Sequence, residues 1–344
     1  MINPTKSYRN TFIVLLIALL IISMINISLG SVYIPIKQIL LTFINGEVDK
    51  ESWKTIVLNY RLPKMITAIL VGSGLSISGL LMQTLFRNPL AGPFVLGISS
   101  GASLGVAILI LGASFLGANI TSYAFTNFGL AIAASLGAFL VLSAVMLAAI
   151  KVRNTMSILI IGLMFGSLTS AVISVLAYFS SAAELQQYMF WSFGSLGNLS
   201  WNEIIALFSV FIIGITLVTF IIKPLNSLLL GENYAKSMGV NVKQTRNITL
   251  IATSLLTGVI TAFSGPIAFI GLAVPHLTKL LFSTSNHKTL LPAVAITGAI
   301  IMLICDSIAQ LPNSEYTLPI NAITSLFGAP IIIWLLVRKR KIYY

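Results

Sequence analysis

Apolar stretches as long as a membrane-crossing helix recur along almost the whole chain, separated by short polar segments. Because the hydrocarbon core of a bilayer is about 30 Å thick, a helix needs about 20 apolar residues to cross it. Only 8% of the 344 residues are charged and 57% are hydrophobic, whereas soluble domains carry about 25% charged residues. This is too little charge to cover a water-soluble surface, so most of the chain is predicted to lie in lipid.

The apolar stretches predict an all-α polytopic membrane protein with about ten transmembrane helices, forming a single domain over residues 1–344. The first stretch could also be a signal peptide. Its apolar run exceeds a typical h-region and no A-x-A cleavage site follows, which favours a retained helix. Glycine and proline interrupt windows three, seven and eight. The ten windows are 11–30, 62–84, 94–117, 128–150, 157–179, 204–222, 248–264, 268–283, 290–311 and 319–337.

The basic residues are distributed unevenly over the segments that join these windows. With a cytoplasmic N-terminus and ten spans, 15 of the 20 basic residues fall inside and six of the eight acidic residues fall outside. This follows the positive-inside rule, which predicts a multi-pass protein of a bacterial cytoplasmic membrane with both termini cytoplasmic. Topology thus accounts for the net charge of +12, without nucleic acid as a partner. The basic residues outside are Lys37, Lys50, Lys54, Arg61 and Lys64.

No pattern in the sequence predicts catalysis. There is no G-x-x-x-x-G-K-[ST] phosphate loop, no H-E-x-x-H, no triad arrangement and no carboxylate pair in the spans. The single cysteine, Cys305, excludes a disulfide within the chain and a thiolate metal site. We therefore expect no enzyme activity, no metal site and no cofactor in this chain. Nucleotide hydrolysis would have to come from another subunit.

Three ionisable side chains in apolar surroundings are candidate functional groups, because such groups are costly in lipid. Asp306 is either a proton or cation site or a structural carboxylate bonded to serines or backbone amides of a neighbouring helix. His276 and His287 are either metal or heme ligands or structural groups near the cytoplasmic side. The single acid, and the lack of a second ligand at helical spacing, favour structural roles for all three.

Small residues and one polar insertion are the other distinctive patterns. The stretches GSGLSISG and GISSGASLG indicate close helix packing, or else a chemically bland passage for a bulky solute. Within the inner segment 223–247, LNSLLLGENYAKSMGV predicts two short helices broken at Gly231 and ended by Gly239. Such a pair is either a docking element for a soluble partner or an ordinary interfacial loop.

A weak internal repeat accompanies these patterns. Arg61 precedes a Ser-Gly pair at Ser78 by 17 residues, and Arg246 precedes one at Ser264 by 18. The first arginine is predicted outside and the second inside, so the two segments run in opposite directions. Inverted repeats of this kind are common in transporters, although so short a match could arise by chance.

Six motifs follow one another from about residue 53 to the C-terminus: RLPKMITAILVGSGLSISGLLMQTLFRNPLAGPFVLGISSGASLG, FWSFGSLGNLSW, LNSLLLGENYAKSMGV, SGPIAFIGLAVPHLTKLL, HKTLLP and LPINAITSLFGAPIIIWLL. In order and spacing they resemble the permease subunits of bacterial type II ABC importers for iron-siderophores, heme and vitamin B12. The resemblance implies a ten-helix subunit in a homodimer or a pair of related permeases. It also implies a cytoplasmic ATPase dimer, which would use ATP and Mg, and an extracytoplasmic solute-binding protein.

The resemblance further implies an outer docking site. In the family, a basic pair at the outer start of the second helix meets acidic residues of the binding protein, and Arg61 and Lys64 match that pair. Arginine suits bidentate carboxylate contact better than lysine, so Lys64 is expected to bind more weakly. The family often has another arginine near the outer end of the ninth helix, where this chain has Gln310.

Two inner sites are implied as well. GENYAKSMGV matches the coupling helices that sit in the ATPase groove, and RNPLAGP matches the loop that helps to close the inner gate. The inner start of the fifth helix matches the other gate element, with a methionine where the family has a small hydroxyl residue. The coupling residues are Gly231, Glu232, Ala235, Lys236 and Gly239, and the gate residues are Asn88, Leu90, Thr155 and Met156.

We therefore expect the permease subunit of an ATP-driven importer that moves an iron complex, a ferric siderophore or heme, across the cytoplasmic membrane. A vitamin B12 permease of the same family is the alternative within this class. Two other classes stay open. One is a secondary carrier driven by an ion gradient, for which Asp306 would be essential. The other is a membrane scaffold or receptor without transport activity.

Overall fold

The computed structural model describes residues 8–44, 46–113, 126–150, 152, 155–197, 199–311 and 316–337. In these ranges the regular secondary structure is helical, with no β-strand, which confirms the all-α prediction. A π-helical turn (Val57–Arg61) leads into α4, and a 3-10 turn (Pro93–Leu96) precedes α5. The helices are α1 (Arg9–Ser28), α2 (Ile36–Phe43), α3 (Glu51–Ile56), α4 (Leu62–Phe86), α5 (Ile98–Leu111), α6 (Asn127–Ile150), α7 (Thr155–Phe179), α8 (Ala182–Ser192), α9 (Trp201–Phe220), α10 (Ile222–Leu228), α11 (Glu232–Ser237), α12 (Val242–Ser264), α13 (Ile270–Leu281), α14 (His287–Ala309) and α15 (Ile320–Val337).

In the described ranges, seven helices are long and apolar enough to cross a membrane: α1, α4 continuous with α3 and the π-helical turn, α6, α7, α9, α12 and α14. Three shorter apolar helices, α5, α13 and α15, lie at the third, eighth and tenth predicted windows. The third window, 94–117, begins before α5, in the 3-10 turn, and its residues 114–117 lie outside the described residues. Gly97 adopts a left-handed conformation immediately before α5, and Gly112 follows its last residue.

Two further boundaries differ from the predicted windows. Helix α12 begins at Val242 and α14 at His287, so each includes a polar first turn that the hydropathy windows left outside the membrane. The side chain of Asn241 accepts a hydrogen bond from the N–H of Gln244, and Asn286 does the same for Lys288. Asparagine is a favoured N-cap because it satisfies an otherwise free N–H of the first turn.

Helix α4 lies at the centre of the bundle, where it packs against α14, α12 and α13. Almost its whole length is buried. A Cβ on Gly72 would overlap the carbonyl oxygen of Gly298, and one on Gly79 would overlap that of Gly271. These glycines therefore let α14 and α13 approach the backbone of α4 directly, which is the close-packing interpretation of the small-residue pattern.

Twice along the chain, a long helix is followed by a short one, and the sizes are similar in both cases. The 25-residue α4 is followed by the 14-residue α5, and the 23-residue α12 is followed by the 12-residue α13. Unusually short helices at corresponding positions of two halves are typical of inverted-repeat transporters. Arg61 directly precedes α4 and Arg246 is the fifth residue of α12, so the repeat suggested by these arginines stays a prediction.

Candidate functional site

Helix α4 carries predicted site residues at both of its ends. Arg61 and Lys64 lie at its start, and the RNPLAGP loop begins at Arg87, directly after its last turn. The segment with α10 and α11 lies at the same end of the bundle as this loop, since a Cβ on Gly231 would lie 3.6 Å from a terminal nitrogen of Arg87. One rigid helix thus joins the predicted dock to the predicted gate.

The guanidinium of Arg61 is held by the end of α1. It donates hydrogen bonds to the carbonyl oxygens of Ile27 (2.7 Å) and Ser28 (2.9 Å), and to that of Val32 in the following loop. A Cβ on Gly30 would lie 2.8 Å from the same group, so the loop wraps closely around it. A cation at the C-terminus of a helix also interacts favourably with the helix dipole. Arg61 is therefore a C-terminal cap of α1, in addition to any role on the surface.

Lys64 forms an ion pair in which the acid is almost fully buried. Its Nζ lies 3.1 Å from Oδ1 of Asp306, with the lysine side chain 20% and the aspartate side chain 3% exposed. The other carboxylate oxygen, Oδ2, accepts hydrogen bonds from the side-chain amides of Asn26 (2.9 Å) and Gln310 (2.8 Å). This cluster joins α1, α4 and α14 at one end of the bundle.

The cluster corrects the expected environment of Asp306. The carboxylate is structural in its contacts, but its partners are an ammonium and two carboxamides rather than serines or backbone amides. Gln310, which stands where the family often has an arginine, donates to the same acid. Both predicted docking residues, Arg61 and Lys64, thus already have partners within the chain, and their role in docking stays a prediction.

The loop after α4 is fixed by two kinds of hydrogen bond. The side chain of Asn88 accepts from the N–H of Leu90 (2.9 Å), which closes a local turn. The carbonyl oxygen of Pro89 accepts from Nε2 of His276 on α13 (2.7 Å). Leu90 itself is 41% exposed, so its side chain is free to meet another element. Arg87, in a left-handed conformation, makes the sharp exit from α4.

The second gate element begins α7. Thr155 and Met156 are its first two residues, and their side chains lie outside the part of the chain that the structure describes. Farther along α7, a Cβ on Gly97 would lie 3.1 Å from the carbonyl oxygen of Gly162. The chain that follows RNPLAGP therefore packs against α7, although the pairing of the four gate residues stays a prediction.

The inner segment forms two short helices, as predicted. Helix α11 follows Gly231, which has a φ of 111°, and Gly239 has a φ of 78° just after the helix ends. Ala235 is fully buried, so this coupling residue packs inward rather than toward a partner. Lys236 and Gly239 are exposed, and Glu232 is half-buried.

The exposed face of α11 contains residues that the motif did not single out. Leu230, Tyr234 and Met238 are 64%, 49% and 59% exposed and recur every four residues. Tyr234 and Met238 are four residues apart and share one side of α11, whereas Leu230 lies in the turn before the non-helical Gly231. We call Tyr234 and Met238 the apolar face of α11; an exposed apolar surface can mark a contact site. The spacing itself is visible in the sequence and could have identified these residues.

His287 connects the inner segment to α4. The Oδ1 atom of Asn226 on α10 accepts from the backbone N–H (2.9 Å) and from Nδ1 (2.7 Å) of His287. The opposite ring nitrogen, Nε2, lies 2.8 Å from Oγ1 of Thr84 in the last turns of α4. With the proton on Nδ1, a neutral ring accepts at Nε2, and the hydroxyl of Thr84 then donates to Nε2 rather than to the carbonyl oxygen of Leu80, which lies 2.9 Å away. Both ring nitrogens are thus used in hydrogen bonds. We call Asn226, His287 and Thr84 the inner relay.

The chain is similar to known transport proteins over nearly its full length. The model of the FecCD transport family matches residues 15–338. The hemin transport system permease protein HmuU of Yersinia pestis is 34% identical over 95% of each chain. The vitamin B12 import system permease protein BtuC of Klebsiella pneumoniae is 35% identical over 95% of this chain and 93% of its own. A solved inward-facing transporter of the metal-chelate ABC type has 29% identity, covering 96% of this chain and 100% of its own, with a TM-score of 0.84.

Proposed function

The chain belongs to the FecCD transport family, and from this membership we propose that it imports an iron complex, a ferric siderophore or heme, with energy from a separate ATPase. It is a multi-pass membrane permease of the ABC importer class. The hemin and vitamin B12 permeases match it with nearly equal identity, so cobalamin is the alternative solute. An extracytoplasmic binding protein would select between them.

The inner relay is the observation that carries the mechanism. It joins α10 to the last turns of α4 through hydrogen bonds of 2.7 to 2.9 Å between buried or half-buried groups. An ATPase that moves the inner segment would therefore pull on α4 through His287. At its other end, α4 is tied to α1 and α14 by Arg61 and Lys64. A movement at the inner face would thus reach the outer face along one helix.

We assign the ATPase contact to α11. Its apolar face, formed by Tyr234 and Met238, suits a hydrophobic groove, which is a common binding mode for a helix, and the exposed Leu230 lies in the turn directly before it. Glu232 and Lys236 lie on the same helix and would provide polar contacts at the edge. Gly231 and Gly239 allow the turns that separate α11 from its neighbours, and Ala235 packs it against the bundle.

The dock and the gate complete the proposal. Arg61 and Lys64 hold the outer ends of three helices together and would add positive charge to the surface that meets acidic residues of the binding protein. At the other end, Asn88 and Leu90 would close against Thr155 and Met156 of a gate shared between two permease copies, related as a homodimer. Both termini would lie in the cytoplasm, on the side of α11.

The paired state of Asp306 favours this function over an ion-coupled carrier. A coupling carboxylate must exchange protons or cations during transport, whereas here both oxygens have partners in the chain, including the ammonium of Lys64. A scaffold or receptor without transport activity would not need the inner relay to join a partner-binding helix to the central helix of the bundle.

Co-purification with the cognate ATPase tests the proposal. The Tyr234→Ala and Met238→Ala variants should each weaken ATPase binding about tenfold, because buried aromatic and large apolar anchors dominate interfaces. Asn233→Ala is the matched control, since Asn233 is also exposed on α11 but lies off the apolar face. If the wild-type permease bound no ATPase, or if all three variants bound it equally, the proposed coupling surface would be wrong.

A further inference from the structure

A cleft of about 380 Å³ lies between the last turns of α6 and the first turns of α12. Met146 and Leu147 line it from α6, and Lys243, Arg246 and Leu250 line it from α12. Residue 242, at which α12 begins, follows α11 by only a few residues, so the cleft lies at the end of the bundle that we place in the cytoplasm. The dock, the gate residues, the inner relay and the apolar face of α11 use none of these side chains.

The polar wall of the cleft is positively charged. Lys243 is exposed and Arg246 is half-buried, and neither side chain has a hydrogen-bond or ion-pair partner among the described residues. Asn247, which also lines the cleft, has none in that part of the chain either. Among the described residues, no acidic side chain lines the cleft. Two neighbouring cations without a counter-charge favour an anionic ligand.

The other wall is apolar and continues into an exposed apolar surface. Leu147 is 67% exposed, and it extends a stripe on α6 that includes Leu136 and Leu140, which are 58% and 66% exposed. Lipid chains are as apolar as leucine, so such a stripe on a membrane-spanning helix suits contact with them. The cleft therefore has cations at its polar end, and its apolar wall is continuous with the exposed stripe of α6. A free phosphate or an acidic protein side chain would leave the apolar wall unused.

We propose that this cleft binds an anionic phospholipid from the leaflet next to α11. The guanidinium of Arg246 and the ammonium of Lys243 hold the phosphate, and the side-chain amide of Asn247 donates to a phosphate or glycerol oxygen. An acyl chain lies along Met146 and Leu147. Arginine matches phosphate geometry with two parallel hydrogen bonds, and basic pockets between transmembrane helices on the cytoplasmic side are suited to such headgroups.

Native mass spectrometry of the full-length permease, with defined lipids added, tests the site. We expect more adducts with phosphatidylglycerol than with phosphatidylcholine. Each of Lys243→Gln and Arg246→Gln should weaken phosphatidylglycerol binding about fivefold, and the double variant ~25-fold, given the contribution of one basic residue near an anionic membrane surface. Lys288→Gln is the matched control, because Lys288 is an exposed lysine at the same end of the bundle but outside the cleft.

A second measurement keeps the result independent of folding defects. Phosphatidylglycerol should raise the melting temperature of the wild-type chain and of Lys288→Gln more than that of the double variant. Equal binding of the two lipids, or unchanged phosphatidylglycerol binding in the double variant, would overturn the proposal. Complete displacement by millimolar inorganic phosphate would assign the cleft to a free anion instead. Loss of ATPase binding without any change in lipid binding would assign the cations to the protein partner.

Discussion

The ammonium of Lys64 and the carboxylate of Asp306 lie 3.1 Å apart and join α4 to α14 at one end of the bundle. Asp306 is 3% exposed, and Asn26 and Gln310 donate to its second oxygen, so the acid is fully engaged. Removing one member of such a pair leaves the other charge without its partner in a poorly solvated place.

The stability effects of substituting Lys64 and Asp306 should therefore not be additive. In a double-mutant cycle with Lys64→Met and Asp306→Asn, we expect the two single variants to lose about 1–3 kcal/mol of stability each, and the double variant to lose less than their sum. Thermal unfolding in detergent measures this. If Asp306 were an ion-coupling site, the double variant would lose transport while keeping its stability, which would contradict a structural role.

The stability of the protein should fall even when Arg61 is replaced by a residue with the same charge. Arg61→Lys keeps the positive charge but cannot reach all three carbonyl oxygens at the end of α1, so we expect a lower melting temperature. Docking of the binding protein, measured by surface plasmon resonance, should be largely retained in Arg61→Lys and weakened in Arg61→Glu. Equal docking of the glutamate variant and wild type would show that Arg61 is a cap only.

The inner relay predicts a difference between two substitutions of one residue. Asn226→Ala removes the acceptor of His287 and should reduce the solute transported per ATP, because a buried donor without a partner costs about 1–3 kcal/mol and α10 is released from α4. Asn226→Asp keeps an oxygen acceptor for His287, although it loses the amide donor to Oδ1 of Asn286 (3.0 Å), and it should retain more of the coupling than Asn226→Ala. Uptake and ATPase rates measured on the same proteoliposomes give the ratio. Identical ratios for the two variants would argue against a mechanical link.

Two glycines provide a matched test of close packing. A Cβ on Gly79 would overlap the backbone of Gly271, whereas one on Gly258 would lie 3.9 Å from Cβ of Ala138. We expect Gly79→Ala to abolish a monodisperse preparation and Gly258→Ala to be tolerated, since alanine is also the better helix former. Size-exclusion chromatography of the two variants compares them directly. A well-behaved Gly79→Ala protein would mean that α4 and α13 are not packed in this way.

Hydropathy and local motifs predicted much of the architecture, because transmembrane helices and their breaks leave patterns in neighbouring residues. The short pair at Gly231 and Gly239 was predicted because glycine supports the backbone conformations found there. Polar first turns, such as the one that begins at His287, were assigned to loops, since hydropathy does not detect an asparagine cap.

Side-chain contacts between residues far apart in the sequence could not be predicted from the sequence. Lys64 and Asp306 are far apart in sequence, and nothing local to either residue indicates that α4 and α14 pack side by side at that level. The same is true of Asn226, Thr84 and His287, whose contacts depend on three different helices. The family resemblance supplied roles for Arg61 and Lys64, but it did not reveal that intrachain partners hold both side chains.

Uptake into proteoliposomes tests the central claim most directly. The permease and its ATPase are reconstituted with MgATP inside, and the binding protein, loaded with a labelled ferric siderophore, heme or cobalamin, is added outside. We predict uptake of one of these solutes that requires MgATP and is unaffected when proton and sodium gradients are collapsed. Uptake that follows an ion gradient without ATP, or no ATP-dependent uptake of any of the three solutes, would contradict the account.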